Sequence, residues 1–320
     1  METLAPEILE LVSRCSDNPS AFLALNDGNR RFAAEGGVVV YREAGRYLVA
    51  FGGPIGPDPA ALLARFRAFA AGRRRKVVAI QVQGSEVDTF TSAGFTVNQV
   101  GASYAVDLRE FTLRGSRFVR LRNKVSRAVR AGVEVAEVPF EAHAGELAEL
   151  DAAWSRGKGK PLEFLVGQLG GPAQRYRRLF VARVGGRVTG YVSYSPAYGS
   201  RPGWLHDLSR RRPDAPPGVM EAVNTSAIET FLAEGASWLH FGFTPFTGLD
   251  PACEDPSASR WFRWLVGQLA VRGAAVYPAA TQLAYKRKWA PHAVLPEYVA
   301  FSHGASLSAF VQVFRAANAL

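Results

Sequence analysis

The sequence predicts an α+β protein made of two tandem domains of one kind, each a mixed sheet flanked by helices, joined by a basic linker helix. Three observations carry that expectation. First, a stretch recurs: Val40-Tyr41-Arg42-Glu43-Ala44-Gly45-Arg46-Tyr47-Leu48-Val49 is echoed by Val181-Ala182-Arg183-Val184-Gly185-Gly186-Arg187-Val188-Thr189-Gly190, with Arg, Gly and Arg in the same register. Each copy is an apolar run, a Gly-containing turn and a second apolar run, which is the signal of a β-hairpin. Second, helix-like sequence precedes each copy, over residues 7–32 and 142–154. Third, residues 111–132 hold seven Arg or Lys and no acid, and they divide the chain. Hairpins with Gly-Arg turns are common, so chance similarity stands as the alternative to duplication. The expected domains are 1–110 and 133–320, with 111–132 as the linker.

In order, the first domain reads as a helix over 6–14, a shorter helical stretch over 21–32 and a hairpin over 38–51. The chain breaks at Gly52-Gly53-Pro54-Ile55-Gly56-Pro57. A helix over 60–71 follows, with Leu62, Leu63, Phe66 and Phe69 on its apolar face. Strands are expected at 77–82 and from 94 onward. In the linker, a turn of about 100° per residue puts Arg117, Arg120, Lys124 and Arg127 on one face and Phe118, Leu121, Val125 and Val129 on the other. The second domain repeats the pattern: strand 133–138, helix 142–154, hairpin 178–195, strand 204–208, helix 218–235, strand 238–243 and helix 259–273.

Composition narrows the class. With 48% apolar residues in 320, each half can build a core. No run reaches the roughly 18 uncharged apolar residues of a membrane span, and Glu2 and Glu7 stand where a secretory signal would be basic and then apolar. A cytoplasmic protein is expected. Cys15 and Cys253 have no metal-ligand spacing, nor do the histidines, so no metal site is expected. The formal charge of +10 is concentrated in the linker and in Lys286-Arg287-Lys288, which suits a polyanion. Like charges stacked at helical spacing repel, and a phosphate backbone relieves that repulsion. A solvated connector helix is the plainer alternative.

Chemistry is best placed at Trp204-Leu205-His206-Asp207-Leu208-Ser209-Arg210, where a strand ends in an acid and arginines before a Pro-rich turn and the start of a helix. Helix N-termini offer free N–H groups to phosphate. Asp207 is the candidate base or ammonium partner and Arg210 the candidate for a phosphate or carboxylate. His206 is the one histidine worth testing. A structural Asp207–Arg210 ion pair is the alternative.

This layout resembles the GCN5-related N-acetyltransferase superfamily, in which a strand and a helix N-terminus cradle the pyrophosphate of acetyl-CoA. The usual Gln/Arg-x-x-Gly-x-Gly/Ala fingerprint is absent, which argues against ordinary CoA use. The chain more closely resembles the aminoacyltransferase domain of the lysyl- and alanyl-phosphatidylglycerol synthases, the soluble C-terminal part of the multiple peptide resistance factors. The resemblance spans most of the chain. It runs through Gly53-Pro54-Ile55-Gly56, Asp207-Leu208-Ser209-Arg210, Pro217-Gly218-Val219-Met220-Glu221, Leu239-His240-Phe241-Gly242-Phe243 and Tyr285-Lys286-Arg287-Lys288-Trp289.

The resemblance implies a tandem acetyltransferase-like fold, an aminoacyl-tRNA donor, a functional pair in Asp207 and Arg210, and a basic residue near the tRNA acceptor end in Lys286. Ser209 and the stretch His240 to Phe243 depart from the family pattern, and no flippase region is present. The expected activity is transfer of an aminoacyl group from tRNA to an amine or hydroxyl of a small metabolite. The alternatives are a phospholipid acceptor reached by peripheral membrane contact, CoA-dependent N-acylation, and RNA binding without catalysis. An aminoacyl ester is already activated, so alignment and oxyanion stabilisation suffice and no cofactor is expected. Arg117, Arg120, Lys124, Arg127, Lys286, Arg287 and Lys288 are expected to hold the tRNA backbone, with salt-sensitive affinity. Trp289 is a candidate to stack on its bases, whereas Trp261 and Trp264, which could do the same, read first with Leu265 as the core face of a helix. Tyr194, Asn224 and Phe243 are expected to line the aminoacyl and acceptor pocket.

Overall fold

A computed structural model of the chain describes residues 4–158, 162–272 and 279–319. Helix α1 (Leu4–Cys15) leads to strands β1 (Arg30–Ala34), β2 (Gly37–Ala44) and β3 (Tyr47–Phe51). Helix α2 (Pro59–Gly72) connects to β4 (Lys76–Gln83), the short α3 (Val87–Ser92) and the long β5 (Thr96–Asp107). The basic helix α4 (Val119–Arg130), strand β6 (Glu134–Glu137) and helix α5 (Ala144–Lys158) precede β7 (Arg178–Val184), β8 (Arg187–Ala197) and β9 (Gly203–Arg211). The chain ends with α6 (Val219–Ala233), β10 (Trp238–Pro245), α7 (Arg260–Arg272), α8 (Ala279–Arg287), β11 (Ala293–Phe301) and α9 (Leu307–Ala316). No helix among the described residues is long and apolar enough to cross a membrane.

Both repeated segments form hairpins with two-residue turns. Gly45 turns β2 into β3 at φ +53°, and Gly185 and Gly186 turn β7 into β8 at φ +55° and +81°. Glycine takes these angles without a Cβ clash, and they match the twist of the flanking strands. The helical stretch expected over 21–32 is not continuous. A 3-10 turn, Ala21–Leu25, stops before Asp27-Gly28, where Gly28 sits at φ +78°, and the chain then enters β1 as the antiparallel partner of β2.

The expectation of two sheets is corrected to one. Eleven strands form a single sheet in the order β1-β2-β3-β4-β11-β5-β10-β9-β8-β7-β6. Strand β11, near the C-terminus, lies between β4 and β5, so each half's last strand crosses into the other half. The pairings read alike from both sides of the β11–β5 centre. Strand β3 runs parallel to β4 through α2 and β4 is antiparallel to β11; β9 runs parallel to β10 through α6 and β10 is antiparallel to β5. By this pattern the counterpart of β2–β3 is β8–β9, whereas the repeated sequence falls in β7–β8. The sequence echo is therefore one strand out of step with the topology.

Helix α4 buries Leu121 and Ala128, with Phe118 buried at its N-cap, while Val129, expected on the apolar face, is 60% exposed. Ala128 is seven residues from Leu121, two full turns, and takes that place against α6. The close approach of these helices rests on Gly218, the N-cap of α6, at φ +94°. A Cβ there would lie 2.1 Å from the Lys124 carbonyl oxygen. Gly218→Ala is expected to cost at least about 3 kcal/mol, from backbone strain and the clash together. Urea unfolding measures the loss, and an unchanged midpoint would contradict this packing.

Candidate active site

The site forms where two parallel strands part. β9 and β10 pair only through Gly203, Trp204 and Leu205, opposite Trp238, Leu239 and His240, and then separate. Each strand is irregular at that point. The β10 ladder to β5 is interrupted between His240 and Phe243, with Gly242 at φ +67°. Strand β9 carries one residue more than β8, since Ser193 faces Leu208 and Tyr194 faces His206. The extra residue is Asp207. A bulge of this kind bends a strand and re-aims the side chains around it. The Lys286 ammonium takes up the break in β10, donating to the carbonyls of Gly242 (2.6 Å) and Phe243 (3.0 Å).

The parted strands open a cavity of about 810 Å³. Its cationic side includes Arg210, Arg211, Lys124 and Lys288 with Glu221. Its apolar side is a wall of the core around β4 and α9, including Leu23, Ile80, Leu165, Phe310, Val313 and Phe314.

Asp207 and Arg210 both reach the cavity wall, but they do not pair. The Asp207 carboxylate is buried against Arg177, whose Nε donates across 3.2 Å, and a Cβ on Gly167 would lie 2.2 Å from its Oδ1. Burial pushes the Asp207 carboxyl above its usual range, with Arg177 opposing. Arg177 also donates to Asn26 Oδ1 at 2.6 Å. The guanidinium of Arg210 instead lies 3.9 Å from the Trp154 ring centre, on the face of the sheet where Tyr191 donates to Asp151 at 2.5 Å. The bulge in turn puts His206 and Arg210 on opposite faces of β9.

His206, Tyr194 and Asn224 come together. Asn224 Oδ1 accepts from the Tyr194 hydroxyl (2.7 Å) and from His206 Nδ1 (3.0 Å), and its amide is bonded to the Tyr285 hydroxyl. Burial lowers the His206 pKa to about 4, so the ring is neutral at pH 7. Of the three pocket residues expected, Phe243 lines the cavity, while Tyr194 and Asn224 are fully buried behind its wall.

The expected RNA-binding residues separate into two groups. Arg117, Arg120, Arg127 and Arg287 are exposed. Lys124 and Lys288 turn to Glu221 Oε1, each at 3.0 Å, in the first turn of α6. Burial alone would raise the Glu221 carboxyl, but the two lysines hold it below its usual range. That carboxylate occupies the positive end of α6, which would otherwise favour an anion. Lys286 is buried and serves β10. Trp289 is 0% exposed, packed between Phe241 and Phe111, and so is closed to a nucleotide base. Trp261 and Trp264 are exposed instead. Arg177, Trp154 and Glu221 have site contacts that no sequence spacing indicates. The apolar wall was within reach: Phe310, Val313, Phe314 and Ala317 recur at helical spacing.

Compared with solved structures, the chain has the fold of lysylphosphatidylglycerol synthetase C-terminal domains. It superposes on a domain assigned to such a synthetase of Agrobacterium fabrum with a TM-score of 0.79 at 21% identity, covering 98% of this chain and 95% of that one. L-PGS from Bacillus licheniformis gives the same TM-score at 20% identity, covering 97% and 95%. In sequence, residues 10–301 match the family model described as phosphatidylglycerol lysyltransferase, C-terminal, and the chain belongs to that family. It is 28% identical to an MprF-like domain protein of Mycobacterium tuberculosis over 76% of this chain and 54% of the relative. It is 24% identical to phosphatidylglycerol lysyltransferase of Bacillus subtilis over 89% of this chain and 33% of the relative. The chain thus spans about half, or a third, of these relatives' lengths.

Behind the cavity lie two buried titratable groups, Glu297 and Lys286, whose ionised forms burial disfavours. Glu297, on β11, bonds the Ser103 hydroxyl and feels the Lys286 charge, and burial raises its pKa to about 7. The folded state then holds a proton that the unfolded chain, with a pKa near 4.5, has released, so stability falls as pH rises from about 4.5 to 7. Glu297→Gln removes this titration. The melting temperature of the natural chain is expected to fall by a few degrees more than that of the variant between pH 5 and 7; parallel profiles would contradict it.

Proposed function

We propose that this chain passes an aminoacyl group from aminoacyl-tRNA to a hydroxyl of an anionic phospholipid, with phosphatidylglycerol the first candidate. The observation that carries the reading is the two-sided cavity, in which cations adjoin an apolar wall along α9. A soluble metabolite needs the cations but not the wall. The small-molecule acceptor favoured by the sequence therefore yields to the lipid, in keeping with the names of the family and of the Bacillus subtilis relative.

In the proposed reaction the lipid hydroxyl attacks the ester carbonyl, and the tRNA ribose oxygen leaves with the proton. The donor ester is activated before it arrives, so the chain's task is to align the reactants and stabilise charge. Arg210, held against Trp154, suits the lipid phosphate. Neutral His206, with Nδ1 committed to Asn224, has Nε2 free to accept the hydroxyl hydrogen. Asp207 is covered by Gly167 and paired to Arg177, so its part is positional, fixing the bulge that carries His206. The exposed arginines of α4 run up to the cavity through Lys124 and suit the tRNA backbone.

We read the fold as two acetyltransferase-like halves, 1–110 and 133–320, that exchange their last strands across the basic segment 111–132. The mirrored pairing of β3-α2-β4-β11 and β9-α6-β10-β5 supports this division.

The test supplies separately charged lysyl- and alanyl-tRNA to the chain with phosphatidylglycerol vesicles, and follows radiolabel into the lipid extract. Labelled lipid is expected, and Arg210→Ala or Asp207→Asn is expected to lower the rate by about 100-fold. Label that stays in the aqueous phase, combined with acyl transfer from acetyl-CoA, would overturn the reading.

A further inference from the structure

Helix α7 presents an aromatic face that packing does not explain. Its inner face is conventional: Phe262 meets Phe301 and Phe310 at ring separations of 5.0 and 5.1 Å, and Val266 is buried beside them. On the outer side, Trp261 is 47% exposed, Trp264 65% and Val271 81%. At 100° per residue, Trp264 and Val271 lie directly opposite Phe262, with Trp261 on the flank. Helix α7 contains no acid. Arg260 and Arg272 stand on the same outer side, and neither forms an ion pair among the described residues. Arg263 faces the Glu254 carboxylate.

We propose that α7 is the surface by which this chain docks on an anionic lipid bilayer. Tryptophan is suited to the headgroup level of a membrane, where its ring is half in hydrocarbon and its N–H stays wet. Arginine beside it pairs with lipid phosphate, and a helix without acid meets no repulsion from that surface. The position of the helix agrees with this occupant. Phe262 packs on Phe310, and Phe310 lines the apolar side of the cavity, so a docked α7 leaves that wall one helix layer from the acyl chains. A second copy of the chain would cover the tryptophans but would set the arginines of two identical faces against each other. The inference rests on the lipid reading above, and it adds the surface through which the lipid is reached.

The experiment is co-sedimentation of the full chain with extruded vesicles of pure phosphatidylcholine, or of phosphatidylcholine with one quarter phosphatidylglycerol. Binding is expected to the mixed vesicles and to be much weaker to the neutral ones. Trp261→Ala with Trp264→Ala is expected to weaken it by about 100-fold or more. Arg260→Glu with Arg272→Glu is expected to weaken it by at least about 20-fold. Both double variants are expected to keep the natural unfolding midpoint, because all four side chains are exposed. Equal binding to neutral vesicles, unchanged binding of either variant, or a dimer in solution that Trp264→Ala dissolves would overturn the proposal.

Transfer to short-chain phosphatidylglycerol below its micellar concentration separates this inference from the reading beneath it. The tryptophan variant is expected to retain that reaction while losing transfer to vesicles. If the natural chain transfers to neither form, the proposed activity falls, while the vesicle titration still decides the role of α7.

Discussion

The parting of β9 from β10 is the feature on which the rest of the site depends. Parallel neighbours would ordinarily continue their ladder, and separating them leaves backbone groups without partners in the middle of a sheet, each costing about 1–3 kcal/mol if buried and unpaired. Lys286 relieves that cost at β10 by donating to the Gly242 and Phe243 carbonyls. On β9 the extra residue at Asp207 takes up the change in direction, and Arg177 neutralises it. Between these two adjustments the strands diverge and the cavity exists. One lysine, one aspartate and one arginine, all buried, hold open what hydrophobic packing would close.

Buried charge here serves geometry more than stability. A buried ion pair gains little over a well-packed apolar substitute, yet breaking one leaves an uncompensated charge costing about 3–5 kcal/mol. The Asp207–Arg177 pair and the Glu221 bridge to Lys124 and Lys288 therefore act as position locks. The second ties the basic helix α4 to the start of α6 and to the segment after α8, fixing the cationic side of the cavity. The exposed cations of α4 then extend that side onto the surface.

Much of the fold was legible because local rules governed it. The glycine turns, the helices over α2, α6 and α7, and the strand of β10 follow from periodicity and turn chemistry, and the structure has them within a few residues. What escaped was long-range. No local pattern shows that β11 inserts between β4 and β5, because a strand's partners are set by tertiary packing. The helical expectation over 21–32 failed because the 3-10 turn ends at Asn26, already extended, and Gly28 at positive φ then leads the chain into β1. At the site, the sequence offered an Asp207–Arg210 ion pair as the plainer alternative, and the two side chains instead meet different partners, Arg177 and Trp154, which only tertiary packing supplies. Trp289 looked available beside three basic residues; it is buried because α8 ends against Phe241 and Phe111. The exposed tryptophans of α7 looked like core for the opposite reason, since only Phe262 and Val266 face inward.

In the proposed reaction, one cavity opened by the divergence of β9 and β10 takes both the polar head and the acyl chain of the lipid acceptor. The most direct measurement is a crystal structure of the chain with short-chain phosphatidylglycerol bound. The phosphate is expected within hydrogen-bond reach of Arg210 and an acyl chain along Phe310, Val313 and Phe314. A lipid bound outside the cavity, or lying in it with the phosphate against α9, would rule out this mode of binding.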